Sequence, residues 1–208
     1  CRYDGYTFKT FRSIPGDTTS LSSNNVCCII EIKKNEFLLG TYFGGLNRFN
    51  ARIEEFSHFR HDPNDPSSIS NNRVNIIFRD DDGNIWVGTH HGLNLFDIET
   101  QKFQTFLQFP GEKNHPSDQV NDIMQDKKGQ LWIGTNDGLY LFDSTFHKVD
   151  IHGEEDASDR IIINCIKEVH DSSIWVGTNN WLYIIRNGQK EYISPQKDRS
   201  KYPSNNKI

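Results

Sequence analysis

The chain has 208 residues, 35% apolar and 12% aromatic, with 14 Phe, 7 Tyr and 4 Trp against a single Met, a composition poor in helix-bundle residues that points to strands. Its 23 Lys and Arg against 28 Asp and Glu leave a formal charge of −5 with no basic run, which argues against nucleic acid or an anionic membrane surface as a partner. No uncharged apolar stretch approaches the roughly 20 residues of a membrane-spanning helix, and Cys1, Cys27, Cys28 and Cys165 show neither zinc-site spacing nor disulfide-scaffold density, so free thiols are expected.

In chain order, residues 1–25 open on Tyr3-Asp4-Gly5-Tyr6-Thr7-Phe8 and end in a polar connector, Asp17 to Asn25. From residue 26 one pattern is spelled four times. Gly-Thr recurs at Gly40-Thr41, Gly88-Thr89, Gly134-Thr135 and Gly177-Thr178, at spacings of 48, 46 and 43 residues. Val26, Val74, Val120 and Ile163 each lie 14 residues before the glycine, and Ile29, Ile77, Ile123 and Ile166 lie 11 before it. Fifteen residues after it come Phe103, Val149 and Tyr192, with Phe56 at sixteen because the first copy carries an extra residue in Tyr42-Phe43-Gly44-Gly45.

Each period predicts four short strands. In the second copy they are Arg73 to Arg79, Asn84 to Thr89, Gly92 to Asp97 and Lys102 to Leu107. The first turn needs a residue at positive φ, supplied by Gly83, Gly129 and, in the first copy, Asn35. The second turn closes on Gly92 or Gly138; the fourth copy has Trp181 there, and Asn179-Asn180 are expected to form a type I′ turn instead. Asp80-Asp81-Asp82 reads as a solvated turn, and Asp62-Pro63-Asn64-Asp65 as a connector, since it lacks the glycine and distal glutamate of a calcium loop.

A four-stranded antiparallel meander at this period is the signature of a β-propeller blade. The expected fold class is therefore all-β, a propeller segment of about four blades. Residues 1–25 form an outer strand and connector of a preceding blade, residues 26–70, 71–117, 118–158 and 159–203 the four blades, and residues 204–208 the start of a further inner strand. The repeat glycine, lacking a Cβ, lets a neighbouring blade approach, and Trp86, Trp132 and Trp175, two residues before it, are expected to be buried between blades.

The repeat, G-x-[LI]-W-[VI]-G-T-x-x-G-L-x-x-F-D, resembles the two-component regulator propeller repeat, and the connectors Asp17 to Asn25 and Asp62 to Asn72 fit it too. The resemblance implies the periplasmic sensor region of a Bacteroides-type hybrid two-component system, built from seven-bladed propellers and a β-sandwich and followed by a membrane helix, histidine kinase and response-regulator parts. It also implies detection of oligosaccharides and control of polysaccharide-utilisation genes. Seven blades at this period would take roughly 300 residues or more, so the chain reads as a segment. Its expected partners are an oligosaccharide, the remaining blades and sandwich of the same chain, and a second copy in a homodimer, with membrane contact only through the full-length protein. Two other readings stay open: a protein-interaction propeller without a small-molecule ligand, and a sialidase-like propeller enzyme. Against the enzyme, Asp81, Gly83 and Trp86 match an Asp-box once only, and no arginine cluster is visible.

No catalytic triad order, phosphate loop or dinucleotide fingerprint is present, His90-His91 read as a polar turn tip, and no cofactor or metal is expected. In a meander, the connectors between copies and the turns between second and third strands fall at one end. That end gathers the candidate ligand-binding residues Tyr42, Phe43, Arg73, His90, His91, Asn136, Asp137 and Trp181, whose rings can stack on sugar C–H faces while amides pair with hydroxyls.

Overall fold

In this computed structural model, which describes residues 1–3, 5–106, 119–143, 145–151 and 160–193, every strand pairs antiparallel with a neighbour in the chain. A short hairpin, β1 (Arg2–Tyr3) and β2 (Phe8–Lys9), precedes four meanders. The first is β3 (Val26–Lys33), β4 (Glu36–Thr41), β5 (Leu46–Asn50) and β6 (Glu55–Phe59); the second is β7 (Val74–Arg79), β8 (Ile85–Thr89), β9 (Gly92–Asp97) and β10 (Lys102–Phe106). The third comprises β11 (Val120–Gln125), β12 (Leu131–Thr135), β13 (Gly138–Phe142) and β14 (Phe146–Val149), and the fourth β15 (Ile163–Glu168), β16 (Ile174–Thr178), β17 (Leu182–Arg186) and β18 (Gln189–Ile193).

The inner strands β3, β7, β11 and β15 neighbour one another in that order, so the sheets fan out from a common row. Each inner strand begins the same way. Val26, Val74, Val120 and Ile163 pair with the threonine of the Gly-Thr step, and a bulge follows at once in all four. A bulge re-aims the side chains beside it, and here the extra residue is Cys27, Asn75, Asn121 or Asn164. The Asn75 amide donates to the Val120 carbonyl and the Asn121 amide to the Ile163 carbonyl, both at 2.8 Å. Each bond crosses to the next sheet.

Apolar clusters fill the spaces between sheets. Leu38 and Leu46 pack with Val74, Ile77 and Val87; Trp86 and Leu93 pack with Val120, Ile133 and Tyr140; Trp132 and Leu139 pack with Ile163, Ile166 and Val176. The repeat glycines make this approach possible. A Cβ on Gly40, Gly88 or Gly134 would lie 2.5 or 2.6 Å from a methyl carbon of Val74, Val120 or Ile163 on the following sheet. At Gly177 the nearest atom is the Cys165 sulfur of its own sheet.

Several turns follow the expected chemistry. Gly83 and Gly129 sit at φ 86° and 81°, and Asn35 and Ser172 occupy the same place at 66° and 60°. Others do not. Asn179 and Asn180 are not at positive φ, so no type I′ turn forms; the Thr178 hydroxyl instead accepts from the Asn180 and Trp181 N–H groups and donates to the Trp181 carbonyl. Trp175 is only half-buried, whereas Trp86 and Trp132 are buried, because no described residue of a further sheet covers it. The counted register of the outer strands also slips. Phe56 and Phe103 pair with Phe49 and Phe96, but the corresponding partner of Phe142 is Phe146 and that of Ile185 is Lys190, since the third and fourth hairpins are shorter.

Asp80 is the largest departure. It is buried, and its carboxylate accepts from the Asn84 backbone N–H, the Asn84 amide and the Trp86 indole at 2.8 to 2.9 Å. Asp126 holds Trp132 in the same way at 2.9 Å. In the fourth sheet Ser173 takes over, accepting from Trp175 while its own hydroxyl donates to Asp171.

Candidate functional site

The two described connectors, ahead of the first and second blades, are closed by their own side chains. Asp17 accepts from the N–H and hydroxyl of Thr19, and Asp65 from those of Ser67, the side-chain-closed turns that aspartate favours. Asp62 likewise accepts from the Asn64 N–H. Buried Asn47 and Asn94 on the third strands then grip Ser22 and Ser70 through both backbone and hydroxyl, and Leu21 and Ile69 are buried. Asn24, Asn71 and Asn72 cap the backbone N–H groups of Ser13, Arg73 and His61. This fixes where β3 and β7 start.

Above each start the same contact recurs. The residue after the repeat threonine, Tyr42, His90, Asn136 or Asn179, donates its N–H to the carbonyl just before the inner strand, at Asn25, Arg73, Gln119 or Ile162, in 3.0 to 3.1 Å. Eight positions are thereby brought to one end of the inner-strand row. Tyr42 and Arg73 come from adjacent sheets, and the guanidinium carbon stands 4.1 Å from the centre of the tyrosine ring. Phe43 packs edge-on against Tyr42 at 4.4 Å and is largely exposed. His90 and His91 lie with ring centres 5.3 Å apart, His91 beside the Asn71 amide. Burial, then the Arg73 charge, then His91 hold the His90 imidazole below its ordinary pKa. The His90 Nδ1 and Arg73 Nε atoms are both buried without a hydrogen-bond partner.

The other candidates form separate groups. Asn136 belongs to a closed amide ring in which Gln119 donates to Asn121, Asn121 to Asn136 and Asn136 to Gln119, each at 2.9 Å. Asp137 is paired with Lys148 at 2.7 Å, and Trp181 packs partly buried on the fourth-sheet core. Tyr42, Phe43, Arg73, His90 and His91 therefore form one cluster, with Asn136, Asp137 and Trp181 apart from it. Gln119, Asn121 and Arg160, whose Nε donates to the Asn136 carbonyl, were not singled out by sequence reasoning. Their signal was position alone, beside the start of an inner strand.

A larger groove of about 1010 Å³ runs along the flank of the first sheet between Phe11, Arg12 and Leu21 on one side and Val26, Ile29 and Phe37 on the other. Val26 and Ile29 are 39% and 58% exposed there, whereas Val74, Val120 and Ile163 are fully covered by the sheet before them. The groove is thus a sheet-packing surface. Among the described residues no three His, Cys, Asp or Glu side chains are grouped to hold a metal ion.

Solved structures carry the same architecture. The extracellular domain of BT4673 from B. thetaiotaomicron, described as a one component or hybrid two component system, aligns at a TM-score of 0.67 and 20% identity over 88% of this chain and 23% of its own. That of BT3049 from the same organism, described as a hybrid two component system, aligns at 0.52 and 24% identity over 88% of this chain and 30% of its own. The chain is a β-propeller segment. A family model for the SMP-30/Gluconolactonase/LRE-like region matches residues 52–140 of the propeller, across its first three blades, and no curated protein matches. U3-55K shares the fold at 8% identity and a TM-score of 0.57, over 82% of this chain and 52% of its own, which shows how little sequence the blade itself demands. The segment spans between a fifth and a third of the length of the two bacterial domains.

Proposed function

We propose that this propeller segment belongs to the extracytoplasmic, periplasmic sensor region of a hybrid two-component system. On this reading it binds an oligosaccharide at its connector-and-turn end and so controls polysaccharide-utilisation genes. The remaining blades and a β-sandwich would complete the sensor within the same chain, and the segment works by binding, without catalysis of its own. The observation that carries the reading is the Tyr42, Phe43, Arg73, His90 and His91 cluster, which offers ring faces and unpaired polar nitrogens at a single blade junction. The likeness to extracellular domains of two-component systems supports the sensor part. Binding is favoured over chemistry because Asp62, Asp65, Asp80 and Asp126 are committed to local backbone or indole donors. A ligand shifts a signalling equilibrium only by binding its two states unequally, so the responsive groups should bridge elements that can move, as Tyr42 and Arg73 do.

The test is titration of the chain with defined oligosaccharides, followed by calorimetry and backbone-amide NMR. One saccharide class should bind, moving amides around Tyr42, Arg73 and His90, and Tyr42→Ala should weaken it while the circular dichroism spectrum stays unchanged. Shifts confined to the Asp80 to Gly83 end would overturn this choice of face.

A further inference from the structure

We infer that the junction between the first two blades is a subsite for an acidic group of the saccharide, a carboxylate or a sulfate ester, received by Arg73. The inference deepens the saccharide-sensor reading and rests on it.

Other arginines of the described residues are exposed or paired; Arg73 is half-buried and has no acceptor. Arg48 is held by Glu36, Arg186 by Asp171, and Arg79 by the Ile32 carbonyl. Arg73 has no such acceptor among the described residues, and its Nε is buried without one. It is half-buried over the Tyr42 ring, which holds the guanidinium plane by a cation–π contact and leaves the terminal N–H groups to meet an incoming group. A planar two-oxygen anion is what such an edge matches, through paired charge-assisted bonds. The next polar atom without a partner is His90 Nδ1, on the residue whose backbone N–H donates to the Arg73 carbonyl. Among the described residues no acidic side chain is paired with this cluster. At the third blade the opposite holds: Asp137 supplies a carboxylate and Lys148 already neutralises it. Among the described residues the positive charge on Arg73 thus has no acidic partner, while the site's aromatic and amide groups, Tyr42, Phe43 and Asn71, remain able to contact the sugar body. The low pKa of His90 fits the same picture, since an anion seated beside Arg73 would remove part of the field that keeps the imidazole neutral.

The experiment uses the 208-residue chain and four probes: a galacturonate trisaccharide, a sulfated trisaccharide without carboxylates, a neutral trisaccharide and inorganic sulfate. The expected result is that at least one acidic trisaccharide binds about tenfold or more tightly than the neutral one and that Arg73→Gln removes this preference, as loss of a charge-assisted pair should. Arg73→Lys, which keeps the charge but loses the fork, should recover part of it. Binding of the acidic probe should also raise the His90 pKa, read from its imidazole NMR signals. Which trisaccharide binds separates carboxylate from sulfate ester, and binding of inorganic sulfate alone would overturn the saccharide assignment. Equal affinity for acidic and neutral probes, or an Arg73→Gln chain that keeps its preference, would overturn the acidic subsite and leave the sensor reading standing. If no saccharide binds, both readings fall.

Discussion

Asp80 shows how a single side chain can be misread from its neighbours. In a run of three aspartates the natural expectation is a solvated turn, yet only Asp81 and Asp82 are exposed. Asp80 is drawn inward because the Trp86 indole needs an acceptor in a buried place, and a buried donor left unpaired costs about 1 to 3 kcal/mol. Asp80→Ala should therefore lower the unfolding free energy by about 2 kcal/mol in urea titrations, and Asp126→Ala by a similar amount. Asp81→Ala should stay within about 0.5 kcal/mol of the parent. The signal was present in the sequence: an aspartate stands six residues before the tryptophan in both copies that have the pair. At the same scale, Cys28 sits against the repeat glycine Gly40, and burial pushes its thiol up to about 12. Thiolate is the reactive form, so under native conditions near pH 8 Cys28 should resist iodoacetamide while exposed Cys1 and Cys165 react. Mass spectrometry of digests would check the order, and thiol counting in denaturant without reductant should find four free groups.

At the level of the strand, the inner three strands of each blade were legible because their pattern is fixed by contacts that recur at every junction. The step from Gly88 to Val120 is a close contact between sheets, so Gly88→Ala should overpack the junction and cost about 1 to 3 kcal/mol. Adding Val120→Ala should return part of that loss, whereas Gly177→Ala, facing only the Cys165 sulfur, should cost less. A Gly88→Ala chain as stable as the parent by thermal or urea unfolding would contradict this packing. The outer strand was less legible because hairpin length sets its register, and length varies from blade to blade. A ring cluster compensates: Phe11 meets Phe49 and Phe56, Phe59 meets Phe96 and Phe103, and Phe106 meets Phe142, which pairs with Phe146. Each time, a phenylalanine from the strand or segment before a connector packs on the following blade, a regularity that spacing from the glycine alone does not reveal.

For the molecule as a whole, the blades are joined by polar groups as well as by apolar surface. Asp122 accepts from the Ile123 N–H in its own blade and from the Ile166 N–H in the next at 2.7 Å. Burial raises its pKa, only partly offset by those two N–H groups and Lys167. A carboxyl whose folded pKa is raised contributes stability that is fully present below its unfolded value of about 4 and is lost as pH rises through the folded value. The carboxylates of Asp17, Glu36, Asp65, Asp97 and Asp171 are shifted downward and act in the opposite sense. The stability difference between the parent and Asp122→Asn should therefore grow in the parent's favour as the solution is acidified from neutrality toward pH 4 or so. A difference that is flat with pH would refute the shift. The candidate site was half legible at this scale: counting placed its residues together at one end of the blades, but pairing Tyr42 with Arg73 required knowing that the turn of one copy meets the strand start of the next.

The bulge position has a mechanical consequence. Asn75 and Asn121 act as struts across the second and third junctions, but in the first blade that position is Cys27, and no strut ties it to Val74. At the far end of the same seam, Arg79 pins the second blade to the Ile32 carbonyl. At the other end the seam is tied through backbone instead, the Gly45 N–H donating to the Asn72 carbonyl at 2.8 Å beside the Tyr42–Arg73 contact. The two ties stand about 20 Å apart over the six residues of β7, so a relative tilt of the blades by about 3° about the Arg79 tie would displace the other by roughly 1 Å, enough to break a hydrogen bond. Any such tilt has to stretch the Gly45–Asn72 bond, so at this junction one backbone hydrogen bond and the Tyr42–Arg73 pair do the holding that an asparagine strut does at the next two.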